Sequence, residues 1–365
     1  MSRERDVYES FMCLGPKRIA HKEIWSCPDA ETALTGIDTY DHPRLCRERW
    51  NELFPHMPLA VPESDAPRPR PALDGDSNSS DPDAHTVRWG AGTTATFEHG
   101  EAFFKSADEV FAFSPLEHAD MTGWRHVVAN YDFSSEEALY QSFRKRYPEE
   151  WGDTPPEGRI VQAGFYNTMF MWPMLTFGWE LFLECCMDER FERIMAEFAE
   201  LSRRVFKAIS RLPVNIVRSH DDIVMSSGPV CSPEWMRKYI FPRYEEFWGM
   251  LNASGKKVVM IVDGCLDAYV DDVFACGAHG VVTEPYTDFK AIASRHEDCF
   301  LSGEGDNRIL SRNDPDEIRA MVKSMVETGR MSGGYMMSIG NHIPWNVPPE
   351  GIKRYLDLTA ELAWR

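Results

Sequence analysis

The second half of the chain alternates short apolar runs with helical patterns, and this alternation limits the fold more than any other feature. Fully buried strands are predicted at Val214–Val217 and Val258–Val262, and later apolar runs repeat the same spacing. Helix signals separate them, among them the N-cap pattern that begins at Ser232 and the capping box that begins at Asp314. Strand, helix, strand, helix at this spacing is typical of a parallel α/β sheet, because parallel strands need crossover helices.

We predict a (β/α)8 barrel of the TIM type over residues 121–365. An open doubly wound sheet is less favoured, because no GxGxxG sequence follows any of the predicted strands. Residues 1–120 are predicted to form an N-terminal extension and cap. Within them, residues 60–86 are rich in Pro, Asp and Ser, which predicts an exposed excursion, and the stretch after it predicts a small hairpin.

Composition narrows the classes of function. The 39 Lys and Arg residues against 58 Asp and Glu give a net charge of −19, which argues against nucleic-acid binding because phosphate affinity depends on Lys and Arg. No apolar run is long enough to span a membrane, and the first residues lack the apolar core of a signal peptide. Nine scattered cysteines without a CxxC pair argue against a disulfide framework. We therefore expect a cytoplasmic protein with no nucleic-acid or membrane partner, and a homo-oligomer is left open.

Ionisable side chains follow five successive predicted strands. In a barrel the carboxyl ends of the strands meet at one rim, where the active sites of this fold lie. Several acids at one rim repel each other unless a cation, a proton or a basic substrate group lies among them. The rim therefore predicts either a divalent metal site or a carboxylic acid of raised pKa that acts as a general acid. The residues at these strand ends are His220, Asp221, Asp222, Asp263, Glu284, Glu304, Asp306, Asn341 and His342.

Oxygen and nitrogen ligands suit a divalent metal such as zinc. The predicted metal ligands are Asp263, Glu284, Glu304 and His342, with Cys265 and Cys299 as weaker thiolate candidates. A separate segment, residues 164–179, is crowded with aromatic and Met side chains. It is interpreted either as ordinary core or as the lining of an apolar pocket, and in the second case Phe165, Tyr166 and Trp172 contact the substrate.

Short motifs are spread along the chain. They include Ser219-His-Asp-Asp-Ile, Gly228-Pro-Val-Cys-Ser-Pro-Glu, Phe241-Pro-Arg-Tyr, Asp263-Gly, Gly303-Glu-Gly-Asp, Gly334-Tyr-Met-Met-Ser-Ile-Gly-Asn-His-Ile and Val347-Pro-Pro-Glu. These segments resemble motifs of the uroporphyrinogen decarboxylase superfamily, and the resemblance covers nearly the whole chain outside the excursion. It implies a barrel and two chemistries, which are decarboxylation of the acetate side chains of a tetrapyrrole and methyl transfer to or from a corrinoid or a thiol.

Within that superfamily the sequence is more similar to the methyltransferase branch. The decarboxylases carry an Arg-rich N-terminal segment that is not found here. The methyltransferases often hold zinc through an HxC motif and a distal Cys, but Ile261, Asp263 and Asn341 occupy those positions in this chain. Related O-demethylating methyltransferases imply a carboxylate-rich zinc site instead, which the predicted metal ligands would form.

The resemblance leads us to expect a transferase. It would move a methyl group from a small O- or N-methylated donor, such as a methoxyaromatic compound, to the cobalt of a corrinoid (cobalamin) on a partner protein, assisted by zinc. The predicted catalytic residues are Asp222, Asp263 and Glu284, and the predicted substrate-binding residues are His220, Asp221 and Asn341 together with the three aromatic residues named above. A metal-independent decarboxylase or lyase and a non-catalytic binding barrel are the alternatives.

Overall fold

The computed structural model of the chain divides into two compact units. Unit 1 consists of Met1–Glu101 with Phe289–Arg365, and unit 2 is Ala102–Asp288. The residues that the structure describes are 3–70, 85–90, 93–97, 103–123, 128–296 and 298–365.

The strands and helices are given in chain order. The strands are β1 Ala20–His21, β2 His85–Gly90, β3 Thr93–Phe97, β4 Gln162–Phe165, β5 Ile216–His220, β6 Val224–Met225, β7 Gly228–Pro229, β8 Lys257–Ile261, β9 Gly280–Val282, β10 Phe300–Ser302 and β11 Gly334–Met337. The α-helices are α1 Arg3–Phe11, α2 Pro28–Thr35, α3 Pro43–Leu53, α4 Ala107–Ala112, α5 Glu136–Arg144, α6 Met171–Phe177, α7 Trp179–Cys185, α8 Phe191–Ser210, α9 Pro233–Tyr239, α10 Phe241–Ala253, α11 Val270–Ala275, α12 Phe289–Arg295, α13 Asn307–Arg312, α14 Pro315–Met331 and α15 Pro349–Leu362.

Unit 2 contains four parallel strands in the order β4-β5-β8-β9. Helices α8 and α10 pack against each other, and Phe206 of α8 stacks on Phe247 of α10 with 5.4 Å between the ring centroids. The strand residues Val217 and Val258 are fully buried. Each buried aliphatic or aromatic side chain of this kind stabilises the fold by roughly 1.5–3 kcal/mol, so the core fixes the strands that position the site.

Unit 1 contains three parallel strands in the order β1-β11-β10. Strand β1 pairs with β11 so that His21 lies opposite Met337. The N-terminal segment therefore supplies a strand to the same sheet as the C-terminal part of the chain. The predicted boundary between residues 120 and 121 stays a prediction, whereas the α/β class with parallel strands and alternating helices is confirmed.

The helix starts agree with the sequence patterns. Ser232 caps α9, because its hydroxyl accepts the backbone N–H of Trp235. Asp314 caps α14 by accepting backbone N–H groups of the first turn at 2.9 and 3.0 Å. Strand β5 begins two residues later than predicted, because Val214 bonds through its N–H to the carbonyl of Leu212 in a turn. This shift makes His220 the last residue of the strand.

The structure describes part of the predicted excursion and both strands of the predicted hairpin. Residues 60–70 contain neither helix nor strand and are mostly exposed, as predicted, while residues 71–84 lie outside the described part. Strands β2 and β3 pair antiparallel, which confirms the hairpin. All nine cysteines are free thiols. Within the described ranges, every helix is too short or too polar to cross a membrane.

Candidate active site

One face of the unit 2 sheet carries the polar residues of the candidate site. Side chains alternate between the two faces of a sheet, and the register pairs Arg218 with Val259 and His220 with Ile261. Two residues farther along, Asp222 and Asp263 follow these pairs and lie on the same face. We call the face that carries Arg218, His220, Asp222 and Asp263 the site face.

Three side chains on the site face, His220, Asp222 and Asp263, lie close together, and we call them the cluster. One ligand atom from each lies within 4.8 Å of the others, and all three residues are half-buried. Asp222 Oδ1 accepts the backbone N–H of Asp263 at 2.8 Å and lies 3.2 Å from Nε2 of His220. The cluster therefore offers one imidazole nitrogen and two carboxylates at the ends of two neighbouring parallel strands.

The electrostatics of the cluster centre on Asp263. Burial and, after it, the negative charges of Asp222 and Glu284 together raise the pKa of Asp263 to about 6, and His220 opposes the rise. Glu284 is positioned by its neighbour Thr283, whose hydroxyl donates to the carbonyl of Gly264 at 3.0 Å. Two carboxylates thus lie close together with the charge of Glu284 near enough to act on Asp263, and these charges repel each other unless positive charge is added.

The turn that carries Asp263 allows only glycine at the next position. Gly264 has a φ of +112°, and a Cβ placed there would lie 2.7 Å from the backbone of Met225. The N–H of Cys265 also donates to the carbonyl of Met225 at 2.9 Å. The β6–β7 hairpin therefore packs directly against this turn and fixes the position of Asp263.

Tyr166 forms a wall beside the cluster. It directly follows β4, and its ring centroid lies 4.1 Å from that of His220. Burial and the charges of Asp222 and Asp263 raise the pKa of the Tyr166 phenol, so the phenol is neutral at neutral pH. The structure therefore brings Tyr166 and His220, both predicted to bind substrate, next to the acids Asp222 and Asp263.

Asp221 lies on the opposite face and has a different role. Its side chain accepts the backbone N–H groups of Met169, Phe170 and Met171 at 2.6–2.7 Å and the hydroxyl of Tyr244 at 2.8 Å. Burial raises the pKa of Asp221 to about 6, and these four hydrogen bonds oppose the rise. Because Asp221 is only 1% exposed and fully bonded at the start of α6, this arrangement does not favour its predicted contact with a substrate.

Two of the aromatic residues predicted to line a pocket lie in the core. Phe165 and Trp172 are 2% and 0% exposed, with 5.0 Å between their ring centroids. The indole N–H of Trp172 donates to the hydroxyl of Thr122 at 2.7 Å. A substrate would have to displace these contacts to reach either ring, so the core interpretation is favoured for both.

Glu304 in unit 1 has partners of its own. Its carboxylate accepts hydroxyl hydrogen bonds from Ser324, Thr328 and Tyr335 at 3.2, 3.1 and 2.8 Å. Burial raises the pKa of Glu304, and these hydroxyls oppose the rise. A metal ion at Glu304 would compete with three donors for two oxygens, and its role as a metal ligand stays a prediction.

Asn341 and His342 lie on one turn of unit 1. Asn341 is exposed with a φ of +62°, and its Oδ1 lies 2.8 Å from Nδ1 of His342. The side-chain amide of Asn307 donates to the carbonyls of Gly340 and His342 and holds the turn. The roles predicted for Asn341 in substrate binding and for His342 in metal binding stay predictions.

A buried acid at a strand end of unit 1 was missed by the sequence reasoning. Glu23 follows β1 and accepts the N–H of Ile339 at 2.9 Å and the hydroxyl of Tyr355 at 2.7 Å. It also lies 2.7 Å from Nε2 of His21. Strand β1 has two residues, too few to give a periodic pattern, so the sequence contained no signal for this strand end.

The sequence of the second half matches a known family. Residues 180–362, about half of the chain, match the family model described as Uroporphyrinogen decarboxylase (URO-D). This chain belongs to the URO-D family. The matched range contains the cluster and Glu284, and it confirms the family resemblance of the sequence motifs. Membership in the URO-D family favours an enzyme.

The fold is also found in a solved structure. A methyltransferase from Methanosarcina mazei matches with a TM-score of 0.58 and 15% identity over 99% of each chain. An uncharacterized protein matches with a TM-score of 0.28 and 12% identity over 46% of this chain and 42% of the other. No curated protein matches this chain in sequence. The first match shows that this URO-D family chain and that methyltransferase share their fold along their whole lengths.

Proposed function

We propose that the chain is a methyltransferase that moves a methyl group from a small O- or N-methylated donor to the cobalt of a corrinoid protein, with a zinc ion held by the cluster. The observation that carries this proposal is the convergence of His220, Asp222 and Asp263 within 4.8 Å on the site face. The fold shared with a methyltransferase supports the choice within the URO-D family.

The donor set of the cluster fits zinc. Zinc in proteins binds imidazole nitrogen and carboxylate oxygen, and a catalytic site keeps one position open. His220, Asp222 and Asp263 would supply three ligands, and Glu284 is near enough for its charge to act on Asp263. Bound zinc would supply Lewis acidity that stabilises the leaving oxygen or nitrogen of the donor.

The protein side chains would then orient the donor. Asp222 holds the turn of Asp263 through the 2.8 Å hydrogen bond to its backbone, so both acids keep a fixed geometry. The Tyr166 ring next to His220 provides an apolar wall for a flat methoxyaromatic donor, and its neutral phenol is a hydrogen-bond donor. Residues fixed in this way can hold the methyl group at a set position relative to an acceptor.

The test is a methyl-transfer assay with the full chain. Zinc-loaded protein is mixed with free cob(I)alamin, which replaces the corrinoid partner, and with a panel of methoxyaromatic compounds and methylamines. We expect methylcobalamin to form with at least one donor class, seen by its absorption spectrum. Asp263→Asn should lower the rate by about 100-fold or more, because it removes a ligand charge without changing the size of the side chain.

Asp153→Asn is the matched control, because Asp153 is exposed in a turn of unit 2 and is not part of the cluster. It should transfer methyl groups at the wild-type rate. Wild-type protein that transfers no methyl group from any donor, or an Asp263→Asn variant as active as wild type, would contradict the proposal.

A second function is favoured by one observation. With a pKa of about 6, Asp263 is poised to donate a proton near neutral pH, as a metal-independent decarboxylase of the URO-D family requires. In that case protein freed of metal by a chelator would release CO2 from a carboxylated substrate at an undiminished rate, and methyl transfer would be absent.

A further inference from the structure

Two of the free thiols of unit 2, those of Cys186 and Cys231, are hydrogen-bonded to each other, although they are distant in the sequence. Cys186 directly follows α7, and Cys231 directly precedes Ser232, the N-cap of α9. The thiol of Cys186 also donates to the carbonyl of Leu183 at 3.3 Å. The function proposed above uses neither thiol.

Hydrogen bonds hold the backbone on both sides of this thiol pair. The indole N–H of Trp235, in α9, donates to the carbonyl of Cys186 at 3.1 Å. The hydroxyl of Tyr269 donates to the carbonyl of Cys231 at 2.7 Å. The Trp235 ring also packs edge-on against Phe182 of α7, with 6.1 Å between the ring centroids. The same side chains that join α7 to α9 therefore keep the two sulfur atoms near each other.

The two thiols differ in reactivity. The thiolate is the reactive form of cysteine, and a hydrogen bond donated to its sulfur favours that form. The hydrogen bond from Cys231 lowers the pKa of the Cys186 thiol, and the same bond together with burial raises the pKa of Cys231. By contrast, burial raises the pKa of the neighbouring Cys185 thiol to about 11. Cys186 is 8% exposed and Cys231 is half-buried, so a small oxidant reaches the pair from the surface.

We propose that Cys186 and Cys231 form a reversible disulfide when the protein meets a peroxide, which makes this pair a redox modification site. The Cys186 thiolate attacks one oxygen of the peroxide and becomes a sulfenic acid, and the other oxygen leaves as hydroxide. The sulfur of Cys231 then attacks the sulfur of the sulfenic acid, the S–S bond forms, and the remaining oxygen leaves as water. The two thiols lose two electrons to the peroxide, and both thiol protons end in water.

The disulfide would join two segments that also carry parts of the candidate site. Cys231 follows the β6–β7 hairpin, which packs against the turn of Asp263. Cys186 ends the helical segment that follows Tyr166. Oxidation would therefore tie the segment after Tyr166 to the hairpin that fixes Asp263. The inference itself requires neither zinc nor methyl transfer.

The test is treatment of the full chain with a molar excess of hydrogen peroxide, followed by titration of free thiols and by mass spectrometry of proteolytic peptides. Wild type should lose two of its nine thiols, and a disulfide should join the peptides of Cys186 and Cys231. Dithiothreitol should restore all nine thiols. Cys231→Ser should leave a sulfenic acid on Cys186 that dimedone traps, whereas Cys186→Ser should leave Cys231 unlabelled, because Cys186 is the thiol that reacts first.

Cys185→Ser is the matched control, because Cys185 is the adjacent residue and is also buried. It should form the Cys186–Cys231 disulfide as wild type does. The peptide map of wild type decides the pairing even if a variant does not fold. A Cys185–Cys186 disulfide, a disulfide between two chains, a thiol loss that dithiothreitol does not reverse, or no thiol loss at all would overturn the inference.

Discussion

Asp221 and Asp263 belong to neighbouring strand ends of the same unit, and both have a pKa of about 6, yet their surroundings are opposite. Asp221 is buried and accepts three backbone N–H groups and a tyrosine hydroxyl. Asp263 is half-buried and lies next to the charges of Asp222 and Glu284, which add to the effect of burial.

Of these two acids, Asp263 is the one available for chemistry. Hydrogen-bond donors from the chain already satisfy the oxygens of Asp221 and offset part of the cost of burying its carboxylate, so this acid is part of the packing of the fold. Like charges surround Asp263, so this acid lowers stability in the absence of a cation and gains from binding one. The raised pKa of Asp221 therefore reflects its burial in the fold. The raised pKa of Asp263 marks an acid that can bind a cation.

The largest effect is expected at Asp221. Asp221→Asn keeps the size of the side chain but directs an amide NH2 at backbone N–H groups, which leaves buried donors without acceptors. The free energy of unfolding should fall by about 3 kcal/mol. Urea denaturation followed by tryptophan fluorescence measures it, with Asp153→Asn as a control that should change stability by less than about 0.5 kcal/mol. An unchanged urea midpoint for Asp221→Asn would show that the hydrogen bonds of Asp221 do not contribute to stability.

Glu304 in unit 1 resembles Asp221, because three hydroxyls donate hydrogen bonds to its carboxylate. Glu304→Gln should lower the free energy of unfolding by about 2 kcal/mol, because the amide nitrogen cannot accept one of these bonds. The exposed Glu245→Gln is the control. Zinc affinity, measured on the same variant, should stay at the wild-type value. A fall of about 100-fold would instead assign Glu304 to the metal, as the sequence pattern predicts.

A smaller effect of opposite sign is expected at Asp263 in metal-free protein. Its pKa in the folded state, about 6, is higher than the ordinary value of 3.8, so the folded state loses stability relative to the unfolded state as the pH rises through this range. Asp263→Asn removes that loss and should raise the free energy of unfolding at neutral pH by about 1 kcal/mol, after allowance for solvent screening.

The pH dependence provides the check on Asp263→Asn. At about pH 3, below both pKa values, the carboxyl is mostly protonated in both states, so the variant and the wild type should have nearly equal stability. Urea denaturation at both pH values measures the difference. A variant that is less stable than wild type at neutral pH would show that Asp263 is held by donors as Asp221 is.

The sequence predicted the fold well because its signals are local. The caps at Ser232 and Asp314 and the buried runs that became β8 and β9 depend on residues near each other in the chain. Strand β1 was not predicted, because its two residues gain their conformation from pairing with β11, more than 300 positions away in the chain.

The candidate site was predicted only in part. Strand ends pointed to His220, Asp222, Asp263 and Glu284, but they equally pointed to Asp221, because the exact end of β5 decides which residues face the site. A strand that includes His220 places residues 218, 220 and 222 on one face and residues 219 and 221 on the other. With that register fixed, the alternation alone would have separated Asp221 from Asp222.

The most direct test of the central claim is a zinc titration of metal-free protein, using a competing chelator of known affinity. Wild type should bind one zinc ion per chain, and both Asp222→Asn and Asp263→Asn should weaken the affinity by at least about 100-fold, while Asp153→Asn should leave it unchanged. No stoichiometric binding by the wild type, or equal affinities in wild type and both cluster variants, would contradict the assignment of His220, Asp222 and Asp263 as the metal centre.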